Sequence, residues 1–184
     1  VNGEKKTGVT ILKTEEGLDT GDIIAAYETE IGETETAGEL SERLSELGAE
    51  HICGVLSDIE NNAAAYTKQN DAEATVVKTI KKEQTEVDFA KSGREVACFI
   101  NGMSPLAFAV CNGKKFKFHR AKAAEIGGEA GKVIVADKKL IIGCGENSVE
   151  ILEIQEEGGK KLCAKDFLNG RKLKLGDRFG KKYA

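Results

Sequence analysis

The sequence predicts two consecutive units, a small α/β unit followed by an all-β unit that forms an antiparallel barrel or sandwich with short helices. In the first part, apolar and polar residues alternate as in strands and then apolar residues recur at helical spacing. The second part contains short strand-like runs separated by glycine turns. Charge divides at the same place. Residues 1–78 hold 6 Lys and Arg against 17 Asp and Glu, whereas residues 79–184 hold 21 against 14. Such asymmetry indicates two units, the second facing a polyanion.

Two strands and one helix are predicted in the first unit. Residues 7–14, "TGVTILKT", are β-branched and alternating, and residues 22–31, "DIIAAYETEI", form the second strand. A helix follows the capping-box spacing of Thr36 and Glu39, with an interruption expected near Gly48. Because two strands make an incomplete sheet, their exposed edges are expected to invite pairing, through self-association or with a separate fragment.

The second unit is predicted to begin with a helix and continue as short strands. The helix is expected over about 88–100, ended by "NGMSP". A second short helix, "AKDFLNG", is expected over 164–170, with Gly170 at its C′ position. Residues 61–78 between the units are predicted to be a linker. The expected strands are 106–111, 114–122, 131–136, 138–143 and 148–155.

Strand alternation divides "KKFKFHRA", residues 114–121, between two faces. The phenylalanine rings could stack on bases or fill a core. With 5% aromatic residues and no tryptophan, the chain offers few stacking platforms, so the core is favoured. One face then carries Phe116, Phe118 and Arg120, and the other carries Lys115, Lys117 and His119.

The basic residues of the second unit are candidates for contacts with RNA phosphates, which contribute affinity independent of sequence. A lysine-rich surface that only confers solubility is the alternative. No segment has the apolar length needed to cross a bilayer, so no membrane partner is expected. The candidate RNA-binding residues are Lys114, Lys115, Lys117, His119, Arg120, Lys160, Lys161, Arg171 and Lys172.

Metal binding is not expected. The five cysteines are scattered, without a C-x-x-C pair, and only two histidines are present, a composition typical of reduced cytoplasmic thiols. The acidic loop "TEEGLDTGD", residues 14–22, offers four carboxylates that could bind a metal. Carboxylates in such loops are more often solvated or capping a turn.

Four segments resemble the methionyl-tRNA formyltransferase family, in the order of that family's landmarks. They are "TGVTILKTEEGLDTGDII" at 7–24, "INGMSP" at 100–105, "GEAGKVI" at 128–134 and "AKDFLNG" at 164–170. The resemblance covers essentially the whole chain and corresponds to the C-terminal portion of such an enzyme. It implies that 1–60 is the end of a Rossmann-like catalytic domain, 61–78 a linker, and 79–184 an OB-like tRNA-binding domain.

The resemblance implies transfer of a formyl group from 10-formyltetrahydrofolate to the amino group of methionyl initiator tRNA, during translation initiation in the cytoplasm. It assigns the catalytic role to Asp19, which would orient the family's histidine and help remove the amine proton. Glu16, Gly17, Leu18 and Gly21 would contact the folate, since glycines allow a close backbone approach.

The chain departs from the family in ways that limit the expected activity. The family's catalytic Asn and His precede the acidic loop, and neither appears in this sequence, which opens on Val1. This polypeptide alone is therefore expected to be inactive. Two alternatives stay open. One is a basic OB-like RNA-binding module without catalysis, and the other is a formyltransferase whose acceptor is not tRNA, such as a nucleotide sugar, or which hydrolyses formyltetrahydrofolate.

Overall fold

A computed structural model describes residues 1–17, 19–170 and 172–180. The chain forms two compact units. One comprises Lys5–Ile31 with Glu39–Thr79, and the other comprises Val1–Glu4 and Gly32–Gly38 with the chain from Ile80 onward. None of the described helices is both long and apolar enough to cross a membrane.

The first unit contains an antiparallel hairpin and one long helix, which confirms the elements expected there. Strands β1 (Lys6–Leu12) and β2 (Ile23–Glu30) pair with each other, and helix α1 spans Ala37–Glu60. The helix runs through Gly48, so the expected interruption is wrong. A single glycine costs a helix only about 1 kcal/mol relative to alanine, which the neighbouring turns offset.

Polar and aromatic contacts join α1 to the hairpin. Arg43 donates hydrogen bonds to the backbone oxygen of Glu30 at 2.6 Å and to the Thr29 hydroxyl. The ring of Tyr27 stacks on His51, with centroids 3.7 Å apart and an interplanar angle of 4°. The helix therefore contacts the second half of β2, from Tyr27 to Glu30.

The second unit is a curled, mostly antiparallel sheet with two short helices. The elements in chain order are α2 (Gly93–Gly102), β3 (Phe108–Cys111), β4 (Lys114–Ala124), β5 (Val133–Ala136), β6 (Leu140–Gly143), β7 (Ser148–Glu156), β8 (Leu162–Cys163), α3 (Ala164–Asn169) and β9 (Phe179–Gly180). The strands lie in the order β5-β6-β7-β4-β3-β9, and β8 pairs with the second half of β7.

Backbone bonds bring the two ends of this sheet together. Lys132 forms a bridge with Arg178 just before β5 and β9 begin. The Val133 amide donates to the Asp177 oxygen at 2.8 Å, and the Phe179 amide donates to the Gly131 oxygen at 2.8 Å. The β-rich, curled second unit is confirmed, whereas its assignment as an OB-like barrel stays a prediction.

Phenylalanine rings fill the centre of the sheet, which confirms the expected role of the two aromatic residues of β4. Phe116 is 2% exposed and Phe118 is fully buried, so neither ring can stack on a base. Both rings contact Phe179 at right-angled or steeply tilted geometry, with centroids 5.7 and 5.4 Å apart. These ring contacts hold β4 against β9 in the core.

A β-bulge at His119 interrupts the alternation of β4. Phe118 pairs with Ile154 of β7, but the next paired residue is Arg120, opposite Glu153. His119 is therefore the extra residue of the bulge, and it is buried. The expectation that Arg120 shares a face with the phenylalanines is wrong, as is the solvent-facing position of His119.

A capping box fixes the start of α2 later than expected. The Ser92 hydroxyl accepts a hydrogen bond from the Glu95 amide, and the Glu95 carboxylate accepts one from the Ser92 amide. Helix α2 therefore begins at Gly93 and not near residue 88. Gly93 packs so closely on β7 that an added Cβ would lie 2.0 Å from the Ser148 oxygen.

The short helix α3 is confirmed, but its end differs from the prediction. Gly170 has φ −75° and is the C-cap residue itself, so a left-handed C′ glycine is wrong at this position. At the other end, Cys163 occupies the N-cap position without a capping side-chain hydrogen bond.

Asn101 joins α2 to β4 beside the bulge. Its amide nitrogen donates to the Ala121 oxygen at 2.9 Å, and its side-chain oxygen accepts from the Ala121 amide at 2.8 Å. Asn101 is buried and Ala121 is fully buried. The side chain thus satisfies two backbone groups of β4 that would otherwise lack partners away from water.

Replacing Asn101 with alanine should lower the free energy of unfolding by about 2–3 kcal/mol, because both buried groups of Ala121 lose their partner. Urea denaturation followed by circular dichroism measures this change. Asn169→Ala, at the exposed end of α3, is the matched control and should change stability by less than about 0.5 kcal/mol. Equal effects of the two substitutions would show that the Asn101 bonds contribute nothing.

Candidate functional site

The acidic loop connects β1 to β2 and carries the candidate catalytic residue at its exposed end. The Lys13 amide donates to the Asp22 oxygen at 3.0 Å, which closes the base of the loop. Asp19 is exposed and has φ +54°, a left-handed conformation that few residues other than glycine adopt. Glu16 and Gly17 are also exposed, whereas Leu18 lies outside the described residues.

Gln69 fixes the backbone on both sides of this turn. Its amide nitrogen donates to the Asp19 oxygen at 2.7 Å and to the Gly21 oxygen at 2.8 Å. Thr67 exchanges two backbone hydrogen bonds with Ile23, at 2.7 and 2.9 Å, which places Gln69 beside the loop. The segment expected to be a linker therefore begins as a structural support of the acidic loop.

Gly21 is required by the close approach of two backbone segments. A Cβ atom at this position would lie 1.6 Å from the Lys13 oxygen. At Gly17 the nearest atom would be the Thr20 hydroxyl, at the end of a movable side chain. Gly21 is thus a fixed point of the loop, while the surface around Glu16, Gly17 and Asp19 stays open to solvent.

The Asp19 carboxylate receives no hydrogen bond from any residue that the structure describes. Both bonds from Gln69 go to backbone oxygens, so the turn is held while the carboxylate can accept a proton or orient another group. Within the described parts of the chain, no three His, Cys, Asp or Glu side chains are grouped to hold a metal ion.

The candidate RNA-binding residues lie on β4, on the turn before β8 and after α3. Arg171 lies outside the described residues. Lys115 places its ammonium 3.9 Å from the centre of the Phe108 ring, a cation–π contact. Lys117 is opposite Gln155 of β7. Its contact with RNA, like that of the other candidates, stays a prediction.

Four of these candidates and two further lysines are paired with three carboxylates of one strand, Glu150, Glu153 and Glu156, hereafter the β7 glutamates. Each of the three accepts two basic side chains. The hydrogen bonds from Lys114 and then Lys172 hold the pKa of Glu156 below its ordinary value. The pairs are Lys114 (2.7 Å) and Lys172 on Glu156, Lys161 (2.9 Å) and Arg120 (4.0 Å) on Glu153, and Lys122 (3.5 Å) and Lys139 (3.4 Å) on Glu150.

His119 is held neutral by its surroundings. Burial lowers the pKa of this imidazole below its ordinary value, partly opposed by the hydrogen bond between its Nε2 and the Gln155 side-chain oxygen at 3.0 Å. Glu153 on one side and Lys161 and Lys117 on the other add smaller, opposing effects. A neutral, buried imidazole contributes no positive charge to an RNA-binding surface.

Two groups of residues escaped the sequence interpretation. Gln69 lies in a polar stretch without periodicity, and nothing local connects it to a loop fifty residues earlier. The β7 glutamates did carry a signal, because "EILEIQE" places acids at intervals along a strand next to the basic one. Lys122 and Lys139 were missed together with Glu150, because they were not recognised as its ion-pair partners.

Gly21→Ala should destabilise the first unit by about 1–3 kcal/mol, since the new methyl group collides with a backbone oxygen. Gly54→Ala is the matched control, because its Cβ would meet open space on α1, and it should stabilise by about 0.5–1 kcal/mol. Urea-induced loss of helical circular dichroism gives both values. A neutral Gly21→Ala would show that the loop base is not closely packed.

The neutral state of His119 should make stability depend on pH. Because the folded pKa lies below the unfolded value of about 6.5, the unfolded chain binds more protons in this range. Relative to His119→Gln, the wild type should therefore lose stability as pH falls from 7.5 to 5.5. Denaturation at these two pH values measures the difference, and a gain in relative stability at low pH would refute the burial effect.

Comparison with known proteins identifies the family of both units. Residues 1–56 match the formyl transferase family, and residues 79–172 match the formyl transferase C-terminal domain. A methionyl-tRNA formyltransferase from Koribacter versatilis is 38% identical over 182 residues, which is 97% of this chain and 58% of the relative. The chain thus spans about three fifths of the length of the curated relatives it matches.

Two solved structures share the fold. An N-formyltransferase from Helicobacter canadensis, in complex with folinic acid and dTDP-3-aminofucose, superposes with a TM-score of 0.67 at 21% identity, covering 84% of this chain and 57% of that one. A methionyl-tRNA formyltransferase from Clostridium thermocellum gives 0.54 at 26% identity, covering 77% and 59%. With matching sequence families in both units and the same fold in solved relatives, this chain belongs to the formyl transferase family.

Proposed function

We propose that this chain forms the C-terminal portion of an enzyme that transfers a formyl group from 10-formyltetrahydrofolate to the amino group of methionyl initiator tRNA. The observation that carries the proposal is the acidic loop, which presents an exposed Asp19 on a backbone fixed by Gln69. The names of the curated relatives support tRNA as the acceptor. With this role, the protein would act in the cytoplasm during translation initiation.

In this proposal Asp19 supports proton transfer, Gly17 admits the folate, and the buried Gly21 keeps the folate-binding loop closed against the Lys13 oxygen. An amine that attacks a formyl group must lose a proton, and a positioned carboxylate can accept it or orient a histidine that does. Glu16, Gly17 and Gly21 surround Asp19, and the first two are open to solvent, which fits a surface that receives a planar ring. Leu18 is assigned to the same surface by family resemblance.

The basic residues of the second unit are proposed to bind the tRNA backbone. Lys117 supports this role best, because no carboxylate of the described chain lies within ion-pair distance of its ammonium. The ammonium of Lys160 likewise has no carboxylate of the described chain within ion-pair distance. These two side chains can form phosphate contacts without breaking an existing ion pair.

Asp19→Asn should lower kcat for formyl transfer by roughly 10²- to 10⁴-fold in an enzyme that also contains the family's Asn and His, the usual range for losing a general acid or base. Asp22→Asn, whose backbone closes the same loop, is the control and should retain activity. The measurement is radiolabelled formyl transfer to methionyl-tRNA. Full activity of Asp19→Asn would overturn the catalytic role.

The 184-residue chain alone is proposed to be inactive in the same assay, because the Asn and His expected from the family are absent from it. Turnover by this chain would contradict that proposal.

The acceptor is tested separately, in an enzyme that also contains the family's Asn and His. Transfer by that enzyme to an amino sugar nucleotide, with none to methionyl-tRNA, would retain the formyltransferase chemistry and replace the acceptor. The Helicobacter canadensis relative, complexed with such a sugar nucleotide, makes that acceptor the relevant comparison.

A further inference from the structure

The β7 glutamates are shielded from water although they belong to a basic surface. Their side chains are only 11%, 29% and 13% exposed for Glu150, Glu153 and Glu156. Ion pairs in such positions are screened less by salt than fully exposed ones. Five of the six cations around them are lysines that are themselves 41–64% exposed, so they can reach an RNA phosphate while their carboxylate partners stay largely out of water.

An RNA phosphate that approaches one of these six cations meets a carboxylate already bound there. Drawing Lys161 towards a phosphate, for example, leaves the half-buried Glu153 with Arg120 as its remaining cation. Each phosphate contact formed in this way costs part of an existing ion pair. Lys117 and Lys160 do not face this competition from any carboxylate in the described chain.

We propose that the β7 glutamates compete with RNA phosphates for the basic side chains of the second unit and so limit binding to RNA of unrelated sequence and shape. The inference rests on the proposed RNA-binding role of this unit. A folded RNA that makes further contacts overcomes the competition, whereas a flexible single strand that offers only phosphates does not. The glutamates thereby raise selectivity by lowering the affinity common to all RNA.

The test measures the dissociation constants of unacylated initiator tRNA and of single-stranded oligouridine over a series of KCl concentrations, using the 184-residue chain. The variants are Glu153→Gln and Glu156→Gln. Glu157→Gln is the matched control, because it removes the same charge next to the row from an exposed carboxylate that has no cation within ion-pair distance among the described residues. Thermal unfolding checks that each variant is folded.

Each of the two variants should bind oligouridine roughly fivefold more tightly than the Glu157→Gln control, and its salt dependence should steepen by about 0.7 per freed cation. The affinity for tRNA should increase by a smaller factor than the affinity for oligouridine, so the preference for tRNA falls. Equal binding by Glu153→Gln, Glu156→Gln and Glu157→Gln would overturn the inference.

Lys117→Ala separates this inference from the proposed RNA role. If the wild type binds tRNA and Lys117→Ala weakens it, while the glutamate variants match their control, only the competition is wrong. If the wild type and every variant fail to bind either RNA at low salt, the RNA-binding role and the competition fail together.

Discussion

The pairing of β4 with β7 determines which residues of the second unit enter its aromatic core and which form its charged surface. It aligns Phe118 with Ile154 in the core, and one bulge later it aligns Arg120 with Glu153 on the opposite face. A strand pair without this extra residue would direct an arginine into the apolar centre, where an unpaired charge is very costly. The bulge at His119 therefore allows one strand to serve a dense aromatic core and a charged surface.

The same pairing places carboxylates beside a strongly basic segment in a unit whose net charge is positive. Lysines on β4 and in neighbouring turns converge on carboxylates that β7 supplies at regular intervals. Ion pairs whose lysines are largely exposed contribute little to stability, so the arrangement has its main effect on the electrostatic potential. The second unit keeps a net positive charge, and the β7 glutamates neutralise part of it where they pair with six of its cations.

Sequence patterns predicted those features that repeat along the chain. The strands and the burial of Phe116 and Phe118 follow from a period of two, and helix α1 follows from its apolar spacing, although its continuity through Gly48 does not. Single-residue events were missed. A bulge shifts every later residue of a strand to the other face without altering composition, and a glycine such as Gly170 can end a helix with or without a positive φ.

The candidate catalytic loop shows a different limit of sequence interpretation. Asp19 was found through a motif, since the loop residues lie next to each other in the sequence. Its support was not found, because Gln69 reaches the loop from a segment whose polarity is typical of linkers. The structural role of Gln69 depends on a hydrogen bond to a residue fifty positions earlier. Neither periodicity nor composition predicts such a contact.

The contact between Gln69 and the acidic loop also bears on how this chain can be recombined with its relatives. The polar stretch after α1 looks like a natural junction for exchanging C-terminal units between relatives. A crossover placed there would separate the acidic turn from the amide that holds it, even though both strands and the helix remained intact. Chimaeras joined between Thr79 and Ile80 keep the turn and its amide in one parental sequence.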